Sequence, residues 1–131
     1  MRQTILMLLL AAAAGSALAD WVKLAAAGNA ANTIYADPAT IRKAGNKAKL
    51  WTLVDHQTAL SDSFGKAHAS EKVQWEYDCK DDQQRMLAYV TFAENMGKGK
   101  TVFSDPDPGK WSPVAADTAE KALWKIACGK K

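Results

Sequence analysis

The sequence predicts an α+β domain in which an antiparallel sheet carries one C-terminal helix that a disulfide ties to it. Three observations lead to this prediction. Residues 66–79 alternate apolar and polar side chains, which is typical of a long half-buried strand. The last segment changes to helical spacing. The chain also contains two cysteines, Cys79 at the end of the long strand and Cys128 at the end of the helical segment.

The first half of the domain is predicted to form three strands separated by polar turns. Clusters of β-branched and aromatic residues indicate strands over 21–24, 33–36 and 49–56. Asp37 and Pro38 are expected to end the second strand, because proline has no amide hydrogen and restricts the residue before it. The third strand carries apolar residues on both faces, so we expect it to be central. Residues 57–65 are expected to form a loop.

The second half is predicted to form a hairpin, a short strand and a helix. The strand over 66–79 directs one face inward and is followed by a turn and a second alternating strand over 85–92, which indicates an antiparallel hairpin. A short strand is expected over 101–103. The apolar face of the long strand consists of Val73, Trp75, Tyr77 and Cys79.

The C-terminal helix is predicted over 118–127. One apolar stripe recurs at helical spacing, and Asp117 followed by Glu120 fits a capping box. Gly129 stands where a left-handed residue commonly ends a helix. The stripe is formed by Ala119, Ala122, Leu123 and Ile126.

Residues 1–19 are expected to be a signal peptide. Arg2 precedes an apolar run over 5–14, and Ala17 and Ala19 provide small side chains before a cleavage point at Asp20. A membrane anchor is the alternative, but it needs about 20 apolar residues, and this run is about half that length. No cysteine lies near the cleavage point, so lipid anchoring is not expected.

The mature chain, residues 20–131, is expected to be one domain, because 112 residues are too few for two cores. Loss of Arg2 would leave 16 basic residues against 14 acidic ones, spread along the chain. This weak charge gives no support to nucleic-acid binding.

Cys79 and Cys128 are expected to form a disulfide, because export places them in an oxidising compartment. A metal site or a nucleophilic thiol are the alternatives. Both are disfavoured, since the thiols lack CxxC spacing and neither has a histidine neighbour in sequence.

Several short motifs occur along the chain in a recognisable order: Trp21, Tyr35-Ala36-Asp37-Pro38 with Ile41, Leu50-Trp51-Thr52-Leu53-Val54-Asp55, Glu76-Tyr77-Asp78-Cys79, Trp111-Ser112-Pro113-Val114 and Leu123-Trp124-Lys125-Ile126-Ala127-Cys128. In this order they resemble the surface-adhesin protein E-like domains of proteobacteria, over nearly the whole mature chain. The resemblance implies an antiparallel sheet of about six strands bent around a C-terminal helix, with one disulfide. The two cysteines here occupy the matching places.

The resemblance also implies a function. The namesake of the family is an outer-membrane lipoprotein of Gram-negative bacteria that binds host extracellular-matrix and serum proteins. We therefore expect an exported, non-enzymatic binding protein located in the periplasm, secreted or at the cell surface. The missing cleavage-site cysteine is a departure from the namesake. The alternative is a soluble periplasmic carrier of a small ligand, or an inhibitor of an envelope enzyme, with no adhesive role.

No catalytic, cofactor or metal site is predicted. The only histidines, His56 and His68, have no catalytic motif around them and are expected at the sheet surface. Asp81 and Asp82 with Asp78 lack the alternating oxygen ligands of a calcium loop and are expected to form a solvated turn.

Five candidate binding residues follow from aromatic and basic patterning. Trp51 and Trp111 are the tryptophans expected to be exposed, where they would suit a sugar or peptide. Lys98 and Lys100 lie on a glycine turn with Lys110 nearby in sequence, and could bind acidic glycans or acidic protein segments. The alternative for the lysines is a solubilising loop.

Overall fold

A computed structural model describes residues 20–24 and 31–130, and it confirms the predicted α+β fold. The predicted signal peptide lies outside the described residues. A single 3₁₀ turn, Asn95–Gly97, precedes the sixth strand. The elements are β1 (Val22–Lys23), β2 (Asn32–Ala44), β3 (Lys47–Ser61), β4 (Ala67–Asp78), β5 (Gln83–Phe92), β6 (Thr101–Asp105), β7 (Ser112–Pro113) and α1 (Ala119–Cys128).

The sheet is an antiparallel meander, in which β1 to β6 lie side by side in sequence order. β7, which was not predicted, pairs with the start of β5, where Pro113 faces Gln83. Proline is tolerated there because β7 is a short edge strand. The prediction that β3 is central is confirmed, since Leu50 and Leu53, which point to opposite faces, are both fully buried.

The predicted end of the second strand at Asp37 is wrong. β2 continues to Ala44, and its pairing with β3 shifts between Asp37, opposite Trp51, and Arg42, opposite Lys49. The pairing therefore advances five residues on β2 against two on β3. Thr40 compensates for part of the lost ladder, because its Oγ1 accepts a hydrogen bond from the Trp51 amide at 3.0 Å. Pro38 thus lies in a bulge and does not terminate the strand.

The predicted loop over 57–65 is also largely wrong, because β3 extends to Ser61. Its pairing with β4 shifts between Asp55, opposite Ser70, and Leu60, opposite His68. Five residue steps on β3 are again matched by two on the partner strand. The residues that follow His56 are exposed and show no alternation, so the sequence carried no strand signal there.

The main core lies between the sheet and α1. On the sheet side, Leu50 and Tyr77 are fully buried, and from the helix Leu123, Trp124 and Ala127 pack against them. The predicted disulfide between Cys79 and Cys128 is present, with the two Cα atoms 5.6 Å apart. Helix and sheet are therefore joined both by packing and covalently.

The N-terminal cap of α1 differs by one residue from the prediction. Thr118, not Asp117, is the cap, and its side chain accepts a hydrogen bond from the Lys121 amide. Asp117 instead adopts a positive φ of 61°, which carboxylate side chains tolerate better than most. The predicted C-terminal cap is confirmed, since Gly129 is left-handed with φ of 70°.

Candidate functional site

Two buried histidines and one glutamate form a polar cluster on the sheet. His56 lies on β3, and His68 and Glu71 lie on β4. The Nε2 atoms of His56 and His68 lie 3.2 Å and 3.0 Å from the same oxygen, Oε1 of Glu71. Each histidine is only 7% exposed, so the interpretation of both as surface residues is wrong. We call these three residues the His-His-Glu cluster.

The β3 bulge assembles the His-His-Glu cluster. His56 is the first residue after the regular pairing with β4 ends at Asp55, and His68 lies opposite Leu60, where pairing resumes. Bulges bend a strand and redirect its side chains, and they are frequent beside functional sites. The three unmatched residue steps on β3 thus allow side chains from both ends of the irregularity to converge on Glu71.

A cleft of about 250 Å³ opens beside the cluster at His68. Two exposed aromatic rings, Phe64 at 85% and Phe103 at 49%, line it together with the polar residues Asp62 and Ser63. Its inner wall includes Thr91, which lies directly across from Glu71 on β5. Thr91 is buried, and its hydroxyl has no hydrogen-bond partner among the residues that the structure describes. The cleft therefore combines exposed aromatic rings with polar side chains, including the unpaired hydroxyl of Thr91.

Tyr89 connects the cleft wall to the cluster. It lines the cleft, and it interacts electrostatically with the Glu71 carboxylate. Partial burial raises the pKa of Tyr89 to about 12, and the negative charge of Glu71 acts in the same direction. The neutral phenol is therefore the form that the folded protein favours.

Tyr89 is expected to make the protein less stable at alkaline pH. A tyrosine in the unfolded chain ionises near pH 10, whereas Tyr89 in the folded protein holds its proton to about pH 12. The unfolded state thus loses a proton first, so the free energy of unfolding falls between pH 10 and pH 12. In Tyr89→Phe this fall should be shallower than in the wild type, as measured by urea denaturation at several pH values. Equal slopes would contradict the assignment.

Trp51, a predicted binding residue, lies on the opposite face of the sheet from α1. It lines a groove of about 360 Å³ together with Trp21, Lys72 and Phe92. The Lys72 ammonium lies 5.9 Å from the centre of the Trp21 ring and 5.1 Å from that of Phe92. We call these four residues the aromatic groove. Trp51 is half-buried there and presents part of its ring to the solvent.

Trp111 lies in a different place, at the start of β5. The Arg85 guanidinium is 4.8 Å from the centre of its ring and the Lys47 ammonium 5.5 Å away. Arg85 also pairs with the buried Glu76, at 2.7 Å. The ring of Trp111 is therefore partly covered by cations of its own chain.

The three predicted lysines are exposed but do not form one patch. Lys100 accepts a hydrogen bond from the amide of Ala93, just after the end of β5, while Gly109, next to Lys110, pairs with Met86. Seven residue steps along β5 separate these points, which is about 23 Å in a strand. Closeness in sequence was misleading because the chain runs back along the sheet edge. Lys98 and Lys100 therefore lie near one end of β5, and Lys110 lies near the other end.

The acidic turn after β4 is held by its own backbone. The Asp78 carboxylate accepts hydrogen bonds from the amides of Asp81 and Lys80, and Lys47 pairs with it at 3.1 Å. The amide of Asp81, and then Lys47, lower the pKa of Asp78. Asp82 pairs separately with Lys121. The carboxylate of Asp78 thus stabilises the turn by accepting hydrogen bonds from the amides of Lys80 and Asp81.

Comparisons with known proteins agree with this architecture. The model of the family described as surface-adhesin protein E matches residues 21–129. The chain belongs to the surface-adhesin protein E family. The resemblance inferred from the sequence motifs is therefore confirmed, and the family places the chain among adhesin-like proteins. A search of curated protein sequences found no match.

Solved structures of Haemophilus influenzae protein E share the fold. One has a TM-score of 0.65 at 15% identity, with 83% of each chain covered. Protein E from non-typeable Haemophilus influenzae has a TM-score of 0.59 at 15% identity, with 84% of each chain covered. A second crystal form has a TM-score of 0.61 at 14% identity, covering 82% of this chain and 96% of that one.

Membership in the surface-adhesin protein E family implies an exported or cell-surface protein. In the part of the chain that the structure describes, no helix has the length and apolar character needed to cross a membrane.

Proposed function

We propose that this protein is an exported, non-enzymatic adhesin that binds a host extracellular-matrix or serum protein through the aromatic groove. The observation that carries the proposal is the family match over residues 21–129, which extends across the sheet, the helix and the disulfide. We further propose that residues 1–19 direct export and are removed before Asp20.

The aromatic groove suits a protein partner. Trp51 and Trp21 offer large apolar surfaces, and Lys72 adds a positive charge between aromatic rings. Tryptophan is enriched among the residues that dominate binding energy in protein interfaces. Trp111 is the weaker candidate, because Arg85 and Lys47 already occupy positions near its ring. Lys98 and Lys100 would contribute electrostatic attraction to an acidic segment.

Truncation of Trp51 is expected to weaken binding to the host partner. Loss of a central tryptophan costs about 2 kcal/mol or more, which corresponds to an increase in Kd of about 30-fold. Surface plasmon resonance with immobilised matrix and serum proteins would measure the Kd of Trp51→Ala against the wild type. Phe64→Ala is the matched control, because Phe64 is an exposed aromatic residue outside the groove. Equal affinities of Trp51→Ala and wild type, with both proteins folded, would exclude the groove.

Protease treatment of intact cells tests the location that an adhesin requires. An antibody against the mature domain would follow its digestion, with a periplasmic protein as the internal control. Digestion of the domain while the periplasmic protein survives is expected for an adhesin on the cell surface. Survival of both would remove the main support for adhesion.

The second candidate function is a periplasmic carrier of a small ligand, which the cleft beside His68 favours. Its volume of about 250 Å³ and its mixture of aromatic and polar lining residues suit a small molecule better than a protein surface. A carrier would be released by osmotic shock and would be protected from protease on intact cells. An inhibitor of an envelope enzyme would have the same location but would bind a protein.

A further inference from the structure

We propose that the His-His-Glu cluster is a binding site for one divalent transition-metal ion, for which zinc is the probe, with an open coordination position toward the cleft at His68. The proposal rests on the geometry of the cluster and is independent of the adhesive function. It replaces the expectation that the chain offers no metal site.

The donor atoms of the cluster already converge on one point. One ligand atom from each of the three residues lies within 4.8 Å of the others. The Nε2 to Oε1 distances are 3.2 Å for His56 and 3.0 Å for His68. Metal–ligand bonds of about 2.0–2.2 Å in a tetrahedral site place neighbouring donor atoms about 3.3–3.6 Å apart. Small side-chain movements would therefore bring the three residues to bonding distance.

The chemistry of the donors selects the class of ion. Two imidazole nitrogens and one carboxylate oxygen suit zinc and similar divalent transition metals, whereas calcium and magnesium prefer oxygen ligands alone. The site is also protected, since the side chains of His56 and His68 are 8% and 9% exposed and that of Glu71 is 17% exposed. Burial limits competition from water for the three protein donors.

The surroundings of the cluster provide orientation and an open position. Tyr89 lies beside Glu71 on the same face of the sheet, where its phenol is placed to support a ligating carboxylate. Three protein ligands leave the fourth coordination position of a tetrahedral ion open for water or a small anion, whereas structural zinc sites use four protein ligands. The cleft borders His68. The Thr91 hydroxyl in the cleft wall has no hydrogen-bond partner among the described residues, so it could bind such a water or anion.

The competing explanation is a metal-free hydrogen-bond network, which requires the opposite protonation state of the histidine Nε2 atoms. In that network each Nε2 carries a proton and donates it to Oε1 of Glu71. In a metal site each Nε2 is unprotonated and presents its lone pair to the ion. The protonation state of these two nitrogens on addition of zinc therefore separates the explanations.

Zinc titration of the untagged mature protein tests the site. Competition with a chromogenic chelator is expected to show one zinc ion per chain. His68→Gln and Glu71→Gln should each weaken zinc binding at least about tenfold, since even supporting residues around a metal contribute 10- to 100-fold. Glu94→Gln is the matched control, because it removes an exposed carboxylate outside the cluster and should leave the affinity unchanged.

Nitrogen NMR of the wild-type protein provides a readout that does not depend on folding of a variant. The chain has only two histidines, so four ring nitrogens account for all imidazole signals. Saturating zinc should shift both Nε2 signals to the range of metal-bound nitrogen. Co²⁺ should in turn give the intense visible absorption of a four-coordinate ion. Unmoved Nε2 signals, absence of saturable one-to-one binding, or unchanged affinity in a His56→Gln/His68→Gln double variant would each overturn the proposal.

Discussion

Replacement of both cysteines by serine is expected to lower the melting temperature by on the order of 15 °C. The disulfide joins residues 49 positions apart, Cys79 at the end of β4 and Cys128 at the end of α1. Closing a loop of this length restricts the unfolded chain by about 4 kcal/mol in the chain-entropy model. For a domain of this size each kcal/mol corresponds to several degrees. Differential scanning calorimetry of Cys79→Ser/Cys128→Ser against the oxidised wild type measures the difference.

The reduced wild type is the matched control for the double variant. It lacks the same bond but keeps both side chains, so its melting temperature should agree with that of Cys79→Ser/Cys128→Ser. Both residues lie against the core, Cys128 buried and Cys79 half-buried. A double variant that melts at the temperature of the oxidised protein would show that packing alone holds the helix on the sheet.

Truncation of Trp124 to alanine is expected to cost about 3–5 kcal/mol of the free energy of unfolding. Trp124 is only 5% exposed, in the centre of the contact between α1 and the sheet. Its indole nitrogen also donates a hydrogen bond to the carbonyl of Asp78 at 3.0 Å. The substitution therefore leaves a cavity and an unpaired buried carbonyl. Urea denaturation followed by circular dichroism measures the loss.

Two further variants separate these contributions. Trp124→Phe removes the hydrogen bond but keeps most of the ring, so it should cost less than Trp124→Ala. Trp111→Ala removes a half-buried ring whose described contacts include Lys47 and Arg85, and should cost about 1 kcal/mol. Equal losses for Trp111→Ala and Trp124→Ala would contradict the assignment of Trp124 to the core.

The two faces of the sheet present different surfaces. The face away from α1 carries the aromatic groove around Trp51, which is open to a large partner. The face that carries α1 also bears the His-His-Glu cluster, beside a cleft sized for a small ligand. Binding of a host protein and binding of a metal ion would therefore use separate residues. Variants of Trp51 and of His68 should consequently affect only their own ligand.

Sequence periodicity predicted most of the fold because it depends on local spacing. The alternation through Val73 and Tyr77 identified the buried face of β4, and the stripe through Leu123 identified the helix. Gly129 marked the helix end because its left-handed conformation costs glycine little. The predicted N-terminal cap, Asp117, was one residue away from the observed cap, Thr118. Local sequence preferences alone do not locate a helix end to a single residue.

The histidine cluster was missed because its assembly depends on strand register. His68 and Glu71 are three residues apart on one strand, a spacing that puts side chains on opposite faces of a regular strand, and His56 lies on another strand. The sequence pattern predicted a loop after His56, whereas β3 continues through a bulge. Val54 lies opposite Glu71, so His56, two residues further along β3, is on the same face as Glu71. His68 would point to the other face of a regular strand, and it reaches the Glu71 carboxylate where the pairing is irregular.

The sequence by itself determined the α+β class, the order of the main elements, the disulfide partners and the family. These follow from local periodicity, from chain order and from the presence of two cysteines. Only the tertiary structure decided the bulges of β2 and β3, the meeting of the two histidines at Glu71 and the separation of Lys110 from Lys98 and Lys100. The physical reason is that periodicity fixes which face a side chain occupies, whereas register and bulges are set by pairing between distant strands.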